Sequence, residues 1–268
     1  MNFKKSRTRL VVLGLIGLGL SLPVHARPLN AAKVSRVIND VRLLPDKAPA
    51  RKAQLNDLVQ GQTSLRTGRR SRAEVIFPDT TTTRIGARSV FRYTPGSRTM
   101  TVPSGTVLVR TPRGSGTTQI RTMTVNAGIS GGGFHTFLLD HDPNRMTKVI
   151  AVEGNLTLQR PGGRPFNLPE GHMVVIRPNR PGIPDPLPIH LDRLVRTSPL
   201  LSQKMFYPFP GQGIRNAIVR QEKEIRKGKL IRTSFRPKTP GIRNVIDRNH
   251  WRFQAQPNRA ARPVFTGP

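Results

Sequence analysis

The chain has 268 residues and no cysteine, and its 45 Lys and Arg stand against 14 Asp and Glu for a formal net charge of +31. Without cysteine there is no disulfide framework, thiol nucleophile, thiolate metal site or lipidated cysteine anchor, so the fold stands on packing and backbone pairing. Aromatic residues make up only 5% while Gly and Pro number 24 and 25, which predicts an aliphatic core with many turns; the charge predicts polyanionic or acidic partners without choosing among them.

In chain order, residues 1–26 have the form of a Sec-type signal peptide. Lys4, Lys5, Arg7 and Arg9 precede an apolar run from Leu10 to Leu22, and Val24-His25-Ala26 supplies a small-residue exit with cleavage expected after Ala26. The run is 13 residues long, short of the ~20 that span a bilayer, which favours a cleaved signal over a retained anchor. Cleavage removes four basic residues and no acidic one, leaving +27 on the mature chain. No later apolar run has spanning length, so the mature protein is expected in the periplasm, or outside the cell, of a bacterium.

Residues 27–57 carry a first apolar patch (Val34, Val37, Ile38, Val41, Leu43, Leu44) before a turn at 45–47, a spacing that fits a short helix or, preferably, a strand. From Leu58 to Tyr93 three short runs alternate apolar and polar residues between Gly, Pro, Asp and Thr clusters, the pattern of a β-meander. In Ala73-Glu74-Val75-Ile76-Phe77 successive side chains fall on opposite faces, and Pro78-Asp79 supplies an Asx-type turn before Thr83-Arg84-Ile85. Further strands are predicted at 99–102, 106–110, 119–125, 134–139, 147–152, 155–158 and 172–176, separated by Gly, Pro and Asn turns. About ten strands at ~8–12-residue spacing, with no strict repeat, predict an all-β domain. It is either a compact antiparallel sandwich or roll or a short twisted solenoid.

The meander also resembles a known family. Gly61, Thr67-Gly68, Ser71-Arg72-Ala73-Glu74, Phe77, Asp79, Arg84-Ile85-Gly86, Ser89 and Phe91 match the run "G…TG..SRAE…F.D" followed by "R.G..S.F" of the FecR domain. Leu108-Val109 with Pro112, Val152-Glu153-Gly154 and Leu168 to Ile176 resemble later pieces of it in order, so the likeness extends over roughly residues 33–178. It implies an extracytoplasmic β-domain that binds or senses. In FecR itself a segment ahead of a membrane helix engages a sigma factor; only nine residues precede the apolar run here, so that half of the family's function is not carried over. Thr80 to Thr82 and residues 130–133 depart from the family pattern.

Beyond Arg177 the composition changes. Five prolines between 178 and 188 predict a stiff strap; His190 to Leu201 and Ile214 to Lys227 carry helical spacing; and residues 228–268, with nine Lys or Arg and one acid, have the composition of a disordered basic tail. The expected organisation is a signal peptide (1–26), a FecR-like β-domain (27–178), a Pro-rich strap with a short helix (179–201), and a basic helix and tail (202–268).

Three groups of residues invite chemistry. Gly128-Ile129-Ser130-Gly131-Gly132 has the spacing of a nucleophile elbow, but the glycines and strand-like FHTFLL that follow oppose the helix that elbow needs, which leaves a hydrolase using Ser130 as a remote alternative. His135, Asp140, His141, Asp142 and His172 lack the spacing of a metal site. The basic clusters are the partner-binding candidates: Arg69, Arg70 and Arg72 in the meander, and Arg248, Trp251 and Arg252 in the tail. The tail's mix of arginine and aromatic residues suits single-stranded nucleic acid, but export argues against that partner. The reading is therefore a non-enzymatic FecR-like binding or sensing module of the cell envelope, with no catalytic residues, metal or cofactor. Its expected partner is an envelope protein or an anionic envelope polymer. The alternative is a structural or adhesive envelope protein that holds polyanions through its tail.

Overall fold

The computed structural model describes residues 31–94, 96–129, 132–201 and 211–229, with short strands at 231–232 and 244–245. The signal peptide, Ser130 and the tail residues Arg248, Trp251 and Arg252 lie outside the described residues.

Strands β1 (Ala31–Ile38), β2 (Val41–Leu44), β3 (Arg51–Lys52), β4 (Leu58–Gln60), β5 (Ser64–Thr67) and β6 (Arg72–Ile76) are followed by β7 (Thr82–Ile85), β8 (Val90–Tyr93) and a long β9 (Thr99–Thr111). Then come β10 (Thr118–Arg121), β11 (Asn126–Ile129), β12 (His135–Asp142), β13 (Met146–Glu153), β14 (Leu156–Gln159), β15 (Phe166–Leu168), β16 (His172–Ile176) and β17 (Leu187–Pro188). Two helices follow, α1 (Leu191–Thr197) and α2 (Gln212–Arg226), close to the two predicted helical stretches.

The ladders build two sheets that share β9. One runs β4-β1-β6-β7-β9-β12-β13-β16-β17. The other runs β3-β2-β5-β8-β9-β10-β11-β14-β15. Only the β9–β10 ladder among these is parallel. The chain crosses between the sheets as it advances along both, which makes the domain an antiparallel two-layer roll, as the all-β reading predicts. The strands are more numerous than the ten or so expected, because residues 31–67 alone hold five of them, while the runs at 99–102 and 106–110, predicted as two strands joined by a turn, form the single continuous β9. Residues 119–125, read as one strand, leave the ladder after Arg121: the Thr122 hydroxyl accepts the N–H groups of Thr124 and Val125, and Met123 sits at the tip of the resulting turn.

Strand β9 is the seam. Its first half, Thr99 to Ser104, pairs with β8 and β10; from Gly105 onward it pairs with β7 and β12. The switch falls at Pro103-Ser104-Gly105. Proline gives no donor to either ladder, and Gly105 takes φ +95° with its backbone so close that a Cβ would lie 2.4 Å from Ser89 Cα. The Ser89 hydroxyl, from the family-like "S.F" step, accepts the Thr106 N–H at 2.9 Å and fixes the crossing.

Alternation then divides the side chains into layers. Between the sheets lie Val34, Val75, Val107, Val109, Phe137, Leu139 and Val149 from the first, and Leu43, Leu65, Phe91, Met100, Ile120 and Leu158 from the second. The intervening residues Leu108, Leu138, Ile150, Val152 and Met173 point to the other side of the first sheet, where they pack against Leu191 and Leu194 of α1 and Ile214 and Ala217 of α2. That sheet is buried on both sides at its centre, which is why Phe137-Leu138-Leu139 and Val149-Ile150-Ala151-Val152 run on without polar interruption. It is the helix-covered sheet; its partner is the open sheet.

Specific contacts hold the helical layer down. Arg84, 2% exposed, donates from Nε to Glu74 at 2.7 Å and from Nη1 to the Leu200 carbonyl at 2.8 Å. Leu191 N–H donates to Gln221 Oε1 at 2.9 Å, so α2 satisfies an otherwise unpaired donor at the start of α1. Arg220 of α2 grips Glu170 through two hydrogen bonds of 3.0 and 2.8 Å. At Gly213 a Cβ would overlap the Glu153 carboxylate, so only glycine lets the first turn of α2 sit over that acid, a favourable placement for a negative charge.

Candidate functional site

The residues that carry the family likeness are occupied in building the fold. Glu74 and Arg84 face one another across β6 and β7 and form the ion pair beneath Leu200; burial lowers the Arg84 pKa, and the Glu74 hydrogen bond opposes that shift. Thr67 Oγ1 accepts the Ser89 N–H at 2.9 Å, and Ser71 Oγ accepts the Asp40 N–H at 3.0 Å. Asp79 closes the predicted Asx turn by accepting the Thr81 N–H at 2.9 Å, and is itself held by Arg98. Phe77 stacks edge-on to Tyr93 in the core. None of these side chains is available to a ligand.

The histidines and acids of the middle segment are likewise spoken for or scattered. His141 lies inside the roll with Nδ1 2.8 Å from Thr147 Oγ1, while its Nε2 has no hydrogen-bond partner; burial depresses its pKa. His135 Nδ1 approaches the Asn155 carbonyl at 3.1 Å, and burial lowers its pKa too. His172 opens β16, its Nδ1 2.8 Å from the Glu170 carbonyl. Asp140 accepts from Thr106 Oγ1 at 2.8 Å in surroundings whose burial raises its pKa. Among the described residues no group of three or more His, Asp or Glu is placed to hold a metal ion.

The predicted arginine cluster does not converge. Arg69 and Arg70 are exposed at the β5–β6 turn, where Arg70 has φ +52° and its carbonyl accepts from Asn39. Arg72 is half-buried on β6 opposite Ile38, with its pKa lowered by burial. It belongs to the outer side of the helix-covered sheet, alongside Glu74 and Arg84. Beyond the helices that side carries an open groove of about 580 Å³ bordered by Lys33, Ser35, Leu58, Ile76 and Pro78.

Among the described residues no helix packs on the outer side of the open sheet. Because Val41, Leu43, Leu65, Phe91, Met100, Ile120, Ala127 and Leu158 turn inward, their neighbours turn out. On β2, β5, β8 and β10 these are Arg42, Arg66, Arg92 and Arg121, joined at the edge by Lys52 of β3. Arg42 faces Lys52 on one side and Arg66 on the other, a row of like charges on adjacent strands. Arg92 faces Thr101, and Thr101 faces Arg121, which faces Asn126. Further along come Gly128, Thr157, Gln159 and Asn167. No Asp or Glu occurs on any strand of this sheet, whereas the helix-covered sheet carries Glu74, Asp140, Asp142 and Glu153. Asp40, paired with Arg42 at 3.2 Å, marks the rim.

Sequence inspection singled out the clustered arginines of the turn and did not remark on those of the open sheet. They are single, well separated residues, and only strand pairing gathers them; the legible signal was that each occupies an outward position in a strand without acids.

Residues 63–157 match the family described as FecR protein. Two crystal structures of a protein provisionally described as an anti-sigma factor from Parabacteroides distasonis ATCC 8503 are also similar. The 1.65 Å structure is 17% identical, covers 45% of this chain and 57% of its own, and has a TM-score of 0.39. For the 2.50 Å structure the values are 18%, 46%, 59% and 0.40. The chain thus spans less than two thirds of the length of those proteins. No curated protein matches it.

Proposed function

From a chain that carries a FecR domain over residues 63–157, we propose an exported, non-enzymatic binding or sensing module of the bacterial cell envelope that makes contact through its open sheet. The observation that supports this reading most is the asymmetry of the two sheets: one outer side is apolar at its centre, where α1 and α2 pack on it, and the other is cationic, with no acid on its strands and no helix packed on it among the described residues. Export rests on the signal-like residues 1–26, and among the described residues no helix is long and apolar enough to cross a membrane. The family-like residues serve the scaffold, which leaves recognition to surface side chains. Lys and Arg provide salt-sensitive attraction, and shape and hydrogen bonding provide selectivity.

Affinity capture from envelope extract with the mature protein tests the reading. Bound material is washed at low salt and again at about 0.5 M, where the Debye length is only a few ångströms. The expected result is a discrete partner whose capture is lost when Arg66, Arg92 and Arg121 are changed together to Gln and kept when Arg248 and Arg252 are changed instead. Capture that depends on the tail alone overturns the assignment of the open sheet and supports the adhesive alternative; turnover of ester or peptide substrates that disappears in Ser130→Ala overturns the non-enzymatic reading.

A further inference from the structure

We infer that the open sheet binds a linear acidic polysaccharide, laid across the strands, with its carboxylates on the arginine half of the surface and its hydroxyl groups on the amide half. This deepens the contact-face reading and depends on it.

The chemistry of the surface is divided. From β3 to β10 the outward side chains include Lys52, Arg42, Arg66, Arg92 and Arg121. From β10 to β15 they are Gln119, Asn126, Thr157, Gln159 and Asn167, with Gly128 leaving the backbone open between them. Guanidinium groups match carboxylates in a planar, two-point geometry. Amides and hydroxyls both donate and accept, and so suit the hydroxyls and ring oxygens of sugars. A polymer of acid groups alone, without hydroxyls, such as a polyphosphate, would leave the uncharged half without a function.

Size and shape agree. Nine strands about 4.8 Å apart give a surface of roughly 40 Å across the strands, long enough for a run of several sugar rings. Its long dimension suits an extended chain.

Two other anionic partners fit less well. Single-stranded nucleic acid is held by outward aromatic rings on which bases stack, but the aromatic residues of this sheet, Phe91, Tyr93 and Phe166, all pack into the core. A membrane surface calls for protruding apolar groups among the cations; on the strands the outward apolar residues Leu44 and Val90 are half-buried, and the exposed Met123 lies off the strands, at the β10–β11 turn.

The test is equilibrium binding of the full mature chain to polygalacturonate, with neutral dextran and single-stranded DNA as comparison probes at the same ionic strength. Polygalacturonate is expected to bind and dextran not to. Changing Arg66, Arg92 and Arg121 together to Gln is expected to weaken polygalacturonate binding at least tenfold and to flatten its salt dependence. The uncharged variant Gln119→Ala with Gln159→Ala and Asn167→Ala leaves net charge untouched, so it still reports if the arginine variant fails to fold. It is expected to weaken polygalacturonate severalfold while DNA binding stays the same. Equal binding by the parent and a folded arginine variant overturns the inference, as does an equal loss of both probes in the amide variant. DNA displacing polygalacturonate also overturns it, in favour of a nucleic-acid ligand. Failure of the underlying contact-face reading is recognised separately, by envelope capture that the arginine variant leaves unchanged.

Discussion

The helix-covered sheet and the open sheet share one core and one strand, yet their outer sides are opposites. On the first, Leu108, Leu138, Ile150 and Met173 are fully buried beneath α1 and α2; on the second, Arg66, Arg92, Arg121 and Gln159 stand in solvent. Apolar area removed from water stabilises a fold by roughly 25 cal/mol per Å², so the first side contributes stability. A row of like charges on adjacent strands works the other way, since opposed like charges destabilise a sheet. A surface that costs stability, and on which no helix packs among the described residues, is the one the proposed function assigns to binding. The comparison separates a layer that holds the fold together from one whose charged side chains contribute little to it.

The largest expected effect comes from breaking what joins the sheets. Gly105→Val places a branched side chain at φ +95° against Ser89. Strain and overpacking together should cost about 4 kcal/mol or more, seen as loss of soluble folded protein or of a cooperative thermal transition. Next comes the contrast between the outer sides. Leu138→Ala should destabilise by ~2–5 kcal/mol in denaturant titration, and Gln159→Ala by less than ~0.5 kcal/mol; similar values for the two would mean that the outer sides do not differ as described.

A smaller effect depends on pH. Burial holds the imidazoles of His141 and His135 below their ordinary range, so the unfolded chain takes up protons more readily. Their contribution is complete above about pH 6.5 and is lost as pH falls through the folded-state values, at up to about 1.4 kcal/mol per pH unit for each group. Asp140 acts in the opposite sense: burial raises its pKa, so acid favours the fold between that raised value and the unfolded value of about 3.9. Melting temperatures between pH 7 and pH 5 should therefore fall, and less steeply in His141→Gln. An unchanged slope would show that His141 does not carry the effect.

The smallest effect has an unusual sign. Arg66→Gln removes one member of the Lys52–Arg42–Arg66 row and should raise stability by a few tenths of a kcal/mol while lowering affinity for polygalacturonate. A substitution that stabilises and weakens binding together is the signature of a surface maintained for function.

Much of the scaffold was legible before the structure. The alternation in Ala73–Phe77, the turn at Pro78-Asp79 and the helical spacing after His190 each follow from local rules of side-chain direction and backbone geometry, and the structure places elements there. The FecR likeness pointed to the β-domain for the same reason, because Glu74, Arg84 and Ser89 make the contacts that shape it. The arginine row of the open sheet was not legible. Arg42, Arg66, Arg92 and Arg121 are spread over 79 positions of sequence, and what gathers them is the pairing of β2, β5, β8, β9 and β10, a non-local property. Local clustering drew attention instead to Arg69, Arg70 and Arg72, which the β5–β6 turn sends in different directions.

The central claim, that the open sheet is the contact face, is tested most directly by arginine-selective dicarbonyl modification of the mature protein, mapped by mass spectrometry with and without polygalacturonate. The account predicts that the polymer shields Arg66, Arg92 and Arg121, while exposed Arg145 and Arg215 react as before. Shielding confined to Arg69 and Arg70, or to Arg248 and Arg252, with the open-sheet arginines reacting freely, would contradict it.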